Sequence, residues 1–251
     1  HPLLAFTAIL AIAIGAGAAG CLNMWWDQDI DKLMSRTQRR PLPSGRIDPD
    51  TALSFGIILS GLSVITMGVT IHWFAAALLA TTIFFYIVIY SMWLKRWTPQ
   101  NIVIGGAAGA APPVLGWAAV TGQVDAYALL LFLIIFVWTP PHFWALAIMI
   151  KQDYAAVRIP MLPVVHGDRA TVTQIILYSI LTVGCSIMPL FIGELGWIYG
   201  IFALILNALL LNRVLGFHRK IERKQAVSLY LYSMLYLALL FLSMAVDRTI
   251  L

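Results

Sequence analysis

Eight apolar runs, each long enough to cross a bilayer, constrain this chain more than any other feature of it. They extend from Leu3 to Trp26, Thr51 to Ile71, Phe74 to Trp93, Ile102 to Val120, Tyr127 to Ile150, Thr171 to Ile192, Trp197 to Leu215 and Leu229 to Val246. About 20 such residues wound as a helix cover the hydrocarbon core. With 61% of residues hydrophobic and 11% charged, no soluble domain is needed. The expectation is an all-α, polytopic transmembrane bundle of eight helices, a single membrane domain over residues 1–251. The chain starts at His1 and is apolar by Leu3, without a basic leader, so the first run reads as a mature helix with an upstream piece missing.

The charges set the topology. Fifteen of the 16 Lys and Arg residues fall in the loops Asp27 to Asp50, around Lys95, Lys151 to Ala170 and Arg213 to Ser228; only Arg248 does not. By the positive-inside rule that side faces the cytoplasm, or the matrix of a mitochondrion. Eight of the 11 acidic residues share it, so this face is zwitterionic, and the net charge of +5 calls for no nucleic-acid partner. Cys21 and Cys185 lie within apolar runs and read as small buried hydrophobes, with neither disulfide nor zinc spacing.

One cytoplasmic segment carries chemistry. At the end of the first run, Asn23, Asp27 and Asp31 recur every fourth residue, a step of about 400°, and so form one oxygen-bearing stripe on a helix, with Asp29 turned away. Two carboxylates and an amide suit a hard cation such as Mg²⁺, which fills its remaining positions with water and substrate phosphate oxygens. Charged residues at a helix end ordinarily form a solvated membrane-flanking face. Here three aspartates within five residues repel one another, and flanking alone does not require the fourfold spacing. Pro41 and Pro43 stop the helix, so Arg36, Arg39 and Arg40 turn back toward the stripe, and Asp48-Pro49 caps the next run. The segment therefore reads as a metal and diphosphate site at a membrane surface.

A second loop, Lys151 to Gly167, repeats the order of charged helix end, arginine and two prolines, which is either a weak internal duplication or coincidence. The small residues from Gly105 to Ala111, followed by Pro112-Pro113, imply close packing and a kink, and Thr139-Pro140-Pro141 is expected to break the following run in the same way. His142 is the one histidine within a run, a functional candidate or a hydrogen-bonded structural residue. Trp25, Trp26, Tyr86, Tyr90, Trp93, Trp97, Phe143 and Trp144 crowd the cytoplasmic half. Most belong to an interfacial belt, while some can stabilise a carbocation, each by about 2 kcal/mol or more when desolvated.

Four long runs carry a family resemblance: Asn23 to Asp31 followed by Arg36 to Ile47, Phe84 to Gly122, Phe132 to Ala147, and Asp153 to Gly167. Over nearly its whole length the chain resembles the UbiA superfamily of intramembrane prenyltransferases, and within it the family of protohaem IX farnesyltransferases. That family has nine helices, so the resemblance implies that the first is missing here. It implies that Asn23, Asp27 and Asp31 form the first diphosphate motif and hold Mg²⁺, with Arg36, Arg39 and Arg40 on the leaving group. The superfamily has two aspartates four apart in a second motif. This chain has Asp153 alone, with Met149 and Val157 at the fourfold positions, and Lys151 or Arg158 supplies charge instead.

The implied reaction moves the farnesyl group of farnesyl diphosphate to a vinyl group of haem B, giving haem O and diphosphate; His142, the only histidine within a run and next to an expected kink that opens a cavity, is then expected to contact the haem as a ligand or hydrogen-bond partner. The implied setting is a bacterial (or mitochondrial) inner membrane, with contacts to downstream haem-modifying or terminal-oxidase assembly proteins. Another aromatic prenyltransferase, acting on hydroxybenzoate or a quinone precursor, is a second reading, and a transporter with proline-broken spans a third. The runs around Pro140 and Pro163 argue against the second. Against the third stands a midplane almost free of charge.

Overall fold

The structure, a computed structural model, describes residues 1–250, and every regular element among them is helical. The first span is α1 (Pro2–Trp26), continued by the single turn α2 (Gln28–Asp31), and the second is α3 (Pro49–Thr70). The third, Trp73–Trp97, comprises α4 (Trp73–Phe84), a π-helical segment (Phe85–Leu94) and α5 (Lys95–Trp97). The fourth is split into α6 (Asn101–Ala110) and α7 (Pro112–Thr121). Then come α8 (Ala126–Met149), the short α9 (Lys151–Ala156) and α10 (Leu162–Val165), and the long α11 (Gly167–Phe191), α12 (Trp197–Arg219) and α13 (Arg223–Ile250). Among the described residues, eight helices are long and apolar enough to cross a membrane, as the hydropathy pattern predicts. The last two run farther than the apolar runs into the charged hairpin between them, because a helix ends at its cap, not where its side chains become polar.

Two local expectations meet different fates. The Asp48 carboxylate accepts hydrogen bonds from the Asp50 and Thr51 N–H groups at 3.1 Å and Pro49 opens α3, the expected cap. The break at Pro140-Pro141 does not occur, since α8 is continuous through both prolines, whereas α6 and α7 do part at Ala111. Proline's fixed φ is itself helical, and two missing N–H groups leave the other bonds in place. The Thr139 hydroxyl also donates back to the Ile135 carbonyl at 2.8 Å.

Packing divides the chain into two compact units. The first takes His1–Phe132 and Gln152–Pro160. Its core is dominated by small residues, including Ala8, Ala11, Ala75, Ala76 and Ala118, with Leu22, Met67 and Leu79. Lipid supplies no hydrophobic drive between helices, so association depends on close approach. Gly56 illustrates this: a Cβ there would stand 2.7 Å from the Leu22 side chain. The second unit takes Leu133–Lys151 and the chain from Met161 onward. A buried polar cluster ties it together. Asn207 bonds Ser186 and receives the Tyr236 hydroxyl at 2.8 Å, while the Asp247 carboxylate accepts from the Gly196 and Tyr199 N–H groups at the start of α12. A carboxylate there satisfies orphan donors and the helix dipole together.

Candidate active site

The acidic stripe is built by helix continuation. Asp27 leaves helical geometry slightly, at φ −89° and ψ 9°, yet its N–H still bonds the Asn23 carbonyl (2.9 Å) and its own carbonyl takes the Asp31 N–H (2.8 Å). The fourfold phase therefore survives the junction between α1 and α2. Asp27 is 0% and Asp31 2% exposed, whereas the Asp29 side chain is 58% exposed, the separation that helical phase predicts.

Each buried carboxylate is held by cations. Asp27 accepts from the Asn23 amide (2.9 Å) and from Lys95 Nζ, with Arg96 at 3.5 Å. The same Asn23 amide nitrogen donates to Ser91 Oγ at 2.9 Å. Asp31 accepts from Arg40 Nη1 at 2.8 Å, so the chain does turn back over nine residues. The Thr37 hydroxyl on the Asp31 carbonyl (3.0 Å) closes that turn. Arg96 grips Asp29 through two bonds of 2.8 and 2.9 Å and lies over the Trp26 ring. Those bonds hold the Asp29 carboxyl below its usual range. The Trp26 Nε1–H is buried without an acceptor.

Tyrosines crowd the same place. Tyr90 lies near Tyr86, Tyr154, Asp27 and Arg36, and Tyr86 near Asp27 and Arg40. Tyr86 and Tyr90 stack, ring centroids 5.5 Å apart, on the π-helical segment, and such segments are frequent at functional sites. Gly105 makes room for them, as a Cβ there would lie 2.2 Å from the Tyr90 ring. Tyr154, buried on α9, has Arg36 beside its hydroxyl, and burial raises its pKa, so it stays a protonated donor at neutral pH. Asp153 receives the Ser35 hydroxyl at 2.7 Å, which brings the second motif to the first loop.

Other expected residues are engaged differently. Arg39 is exposed, and only its carbonyl is engaged, by Arg46. Lys151 pairs with Asp168 at 2.9 Å in the second unit. Arg158 is exposed at φ +54°, at the left-handed position of a Schellman turn in which Ile159 N–H bonds the Tyr154 carbonyl and Arg158 N–H that of Ala155. Glycine would fill that position without a strain on the order of 1 kcal/mol. Arg158→Gly is therefore expected to resist unfolding at least as well as the parent, which thermal unfolding checks; a clear loss of stability would mean that the arginine side chain, and not the turn, holds the loop. His142 is held in the second unit between the rings of Trp138 and Tyr230, at 4.4 and 4.8 Å, with Nδ1 on the Ser233 hydroxyl (2.7 Å).

Lys95, Arg96, Ser91 and Ser35 are the contacts that sequence reading did not assign. A signal existed for the first two. Three carboxylates within five residues repel one another unless cations meet them, and Lys95-Arg96 end a span on the same face.

Below the tyrosines lies an apolar cavity of about 250 Å³, lined by Ile12, Ala16, Gly20, Leu79, Tyr86 and Gly109 among others. Tyr86 belongs to both cavity and charged site. No group of three His, Cys, Asp or Glu residues able to cage a metal occurs among the described residues. The donor set instead fits Mg²⁺ carried with a diphosphate. Two buried carboxylates one turn apart already demand positive charge, and side-chain cations supply it.

The UbiA prenyltransferase family profile matches residues 1–244. Protohaem IX farnesyltransferases of Agrobacterium fabrum and Rhizobium leguminosarum bv. trifolii are 53% and 52% identical to this chain, covering 99% of it and 80% of their own length. That of Parvibaculum lavamentivorans is 54% identical, with 99% and 79% covered. Among solved structures, a digeranylgeranylglyceryl phosphate synthase superposes with a TM-score of 0.79 at 19% identity, over 98% of this chain and 84% of its own. A UbiA homolog from Archaeoglobus fulgidus bound to DMAPP and Mg²⁺ gives 0.69 at 17%, over 97% and 88%.

Proposed function

Because the chain belongs to the UbiA prenyltransferase family, and within it to the protohaem IX farnesyltransferases, we propose that it moves the farnesyl group of farnesyl diphosphate to a vinyl group of haem B, giving haem O and diphosphate. The observation that carries the mechanism is the pair of buried carboxylates, Asp27 and Asp31, each neutralised by a side-chain cation able to turn to a phosphate. Asn23, Asp27 and Asp31 would hold Mg²⁺, which would supply Lewis-acid stabilisation of the diphosphate. Lys95 and Arg40 are the cations placed to meet phosphate oxygens, with Arg36 and Tyr154 adjacent and Arg39, Lys151, Asp153 and Arg158 as further candidates. Charge builds on the leaving group as the allylic C–O bond breaks and the electron pair departs with diphosphate; meeting that charge is commonly the largest catalytic contribution. The vinyl π electrons form the new C–C bond, and water adds to the resulting cation and loses a proton, leaving a hydroxyethylfarnesyl substituent. Apolar walls keep other water away until that step.

The apolar cavity supports a place for the farnesyl tail. Gly109 opens onto it, with nothing within 4 Å of an added Cβ. Gly109→Leu is expected to fill it without disturbing packing and to cut farnesyl transfer about tenfold or more while sparing a shorter geranyl donor. Equal losses with both donors would place the tail elsewhere.

For His142, the Ser233 bond leaves Nε2 to meet haem. Haem spectra of purified His142→Ala are expected to shift, and unchanged spectra and affinity would leave a structural ring. The membrane is proposed to be an inner membrane with the charged loops on the cytoplasmic (or matrix) side. Membranes containing the protein, given haem B and farnesyl diphosphate, are expected to yield a product with the mass of haem O. A prenylated quinone precursor in its place, or no prenylated product, would reject the proposal.

A further inference from the structure

Five cations at one end of the second unit have no counter-charge. Arg213, Arg219, Lys220, Arg223 and Lys224 lie within twelve residues that contain one acid, Glu222. Among the described residues none of the five takes part in an ion pair. Topology accounts for basic residues near a membrane, and a cation in the last turn of α12, where Arg219 sits, suits the helix dipole. The dipole does not account for Arg223 and Lys224, which open α13 in a first turn without acids, where it opposes them.

Arg213 is the more telling residue. It lies within the span Trp197–Arg219, six residues and roughly 9 Å before its end. An arginine at such a depth ordinarily carries its head to water along its flexible stem. This one lays its guanidinium on the Tyr232 ring, 4.1 Å from the centroid, with Nε buried and unpartnered. An intramembrane cation without a carboxylate is costly unless something anionic meets it. On either side, Leu209, one turn from Arg213 on α12, and Leu235, one turn from Tyr232 on α13, are exposed. An anion there has apolar surface beside it and basic residues toward the hairpin.

We propose that this groove between α12 and α13 binds the phosphate of an anionic phospholipid, Arg213 meeting the phosphodiester, Lys220, Arg223 and Lys224 the headgroup region, and the leucines the acyl chains. Basic pockets between helices on the positively charged side of a membrane protein suit anionic headgroups. The assignment uses none of the residues given to prenyl transfer, so either can fail without the other.

The test is native mass spectrometry of the full chain, delipidated in mild detergent and then exposed to equal amounts of phosphatidylglycerol and phosphatidylcholine. Wild-type protein is expected to retain phosphatidylglycerol preferentially. Arg213→Gln should lower that retention about tenfold, and Lys220→Gln with Arg223→Gln and Lys224→Gln should lower it less. Undiminished retention by folded Arg213→Gln would overturn the proposal. Where that variant does not accumulate, wild-type protein still decides: equal retention of both lipids, or displacement of phosphatidylglycerol by millimolar inorganic phosphate, counts against a lipid site.

Discussion

Asp27→Asn and Asp31→Asn are each expected to slow Mg²⁺-dependent farnesyl transfer by roughly 10² to 10³, whereas Asp29→Asn retains most of it. The substitution keeps shape and removes charge, so it reads electrostatics and not packing. Asp27 and Asp31 are buried and share the stripe with Asn23, while Asp29 is exposed and engaged by Arg96 alone. A lost electrostatic contact to a developing diphosphate is worth about 3 to 4 kcal/mol, the source of the range given. Initial rates on protein matched for membrane insertion check it. Equal damage from Asp29→Asn would place metal binding in the loop and not on the helical face.

Lys95→Gln is expected to destabilise the metal-free protein by about 3 kcal/mol, with much of that loss recovered when Mg²⁺ and diphosphate are added. Asp27 is fully buried, and its principal counter-charge is Lys95; Arg96 stands off at 3.5 Å. Removing one member of a buried pair strands the other, and the expected cost is at the lower end of the range because Asn23 and Arg96 remain. A divalent cation would replace the missing charge. Thermal unfolding with EDTA, and again with Mg²⁺ and inorganic diphosphate, measures the difference. The same loss in both conditions would mean that Lys95 and the metal do not share Asp27.

How much of this was legible depended on the range of the interaction. Spans follow from local hydropathy, and the side of the helix that carries Asp27 and Asp31 follows from local phase, which survives because the i to i−4 bonds continue through Asp27. The Asp48 cap is equally local. Lys95 and Asp27 are 68 residues apart, and in sequence a cation that ends a span serves topology as well as it serves chemistry. The π-helical segment Phe85–Leu94 was hidden for another reason. A run this apolar, with Ser91 its one residue without a large apolar side chain, has too few polar marks from which a wider turn can be read. Pro140-Pro141 misled because proline signals a break where backbone groups can reach water, while a membrane helix keeps its remaining bonds. His142 stood out as the one histidine within a span, yet two of the three residues that hold it, Tyr230 and Ser233, come from α13, about 90 residues later.

The central claim is that the acidic stripe binds diphosphate through a metal, and equilibrium binding of a non-ionising farnesyl thiodiphosphate tests it most directly. Wild-type protein is expected to bind the analogue more tightly as Mg²⁺ is raised, and Asp27→Asn and Asp31→Asn to lose that dependence while keeping the weak metal-free affinity that the apolar cavity and arginines provide. Binding indifferent to Mg²⁺ in the wild type, or a Mg²⁺ dependence preserved in both variants, would contradict the account.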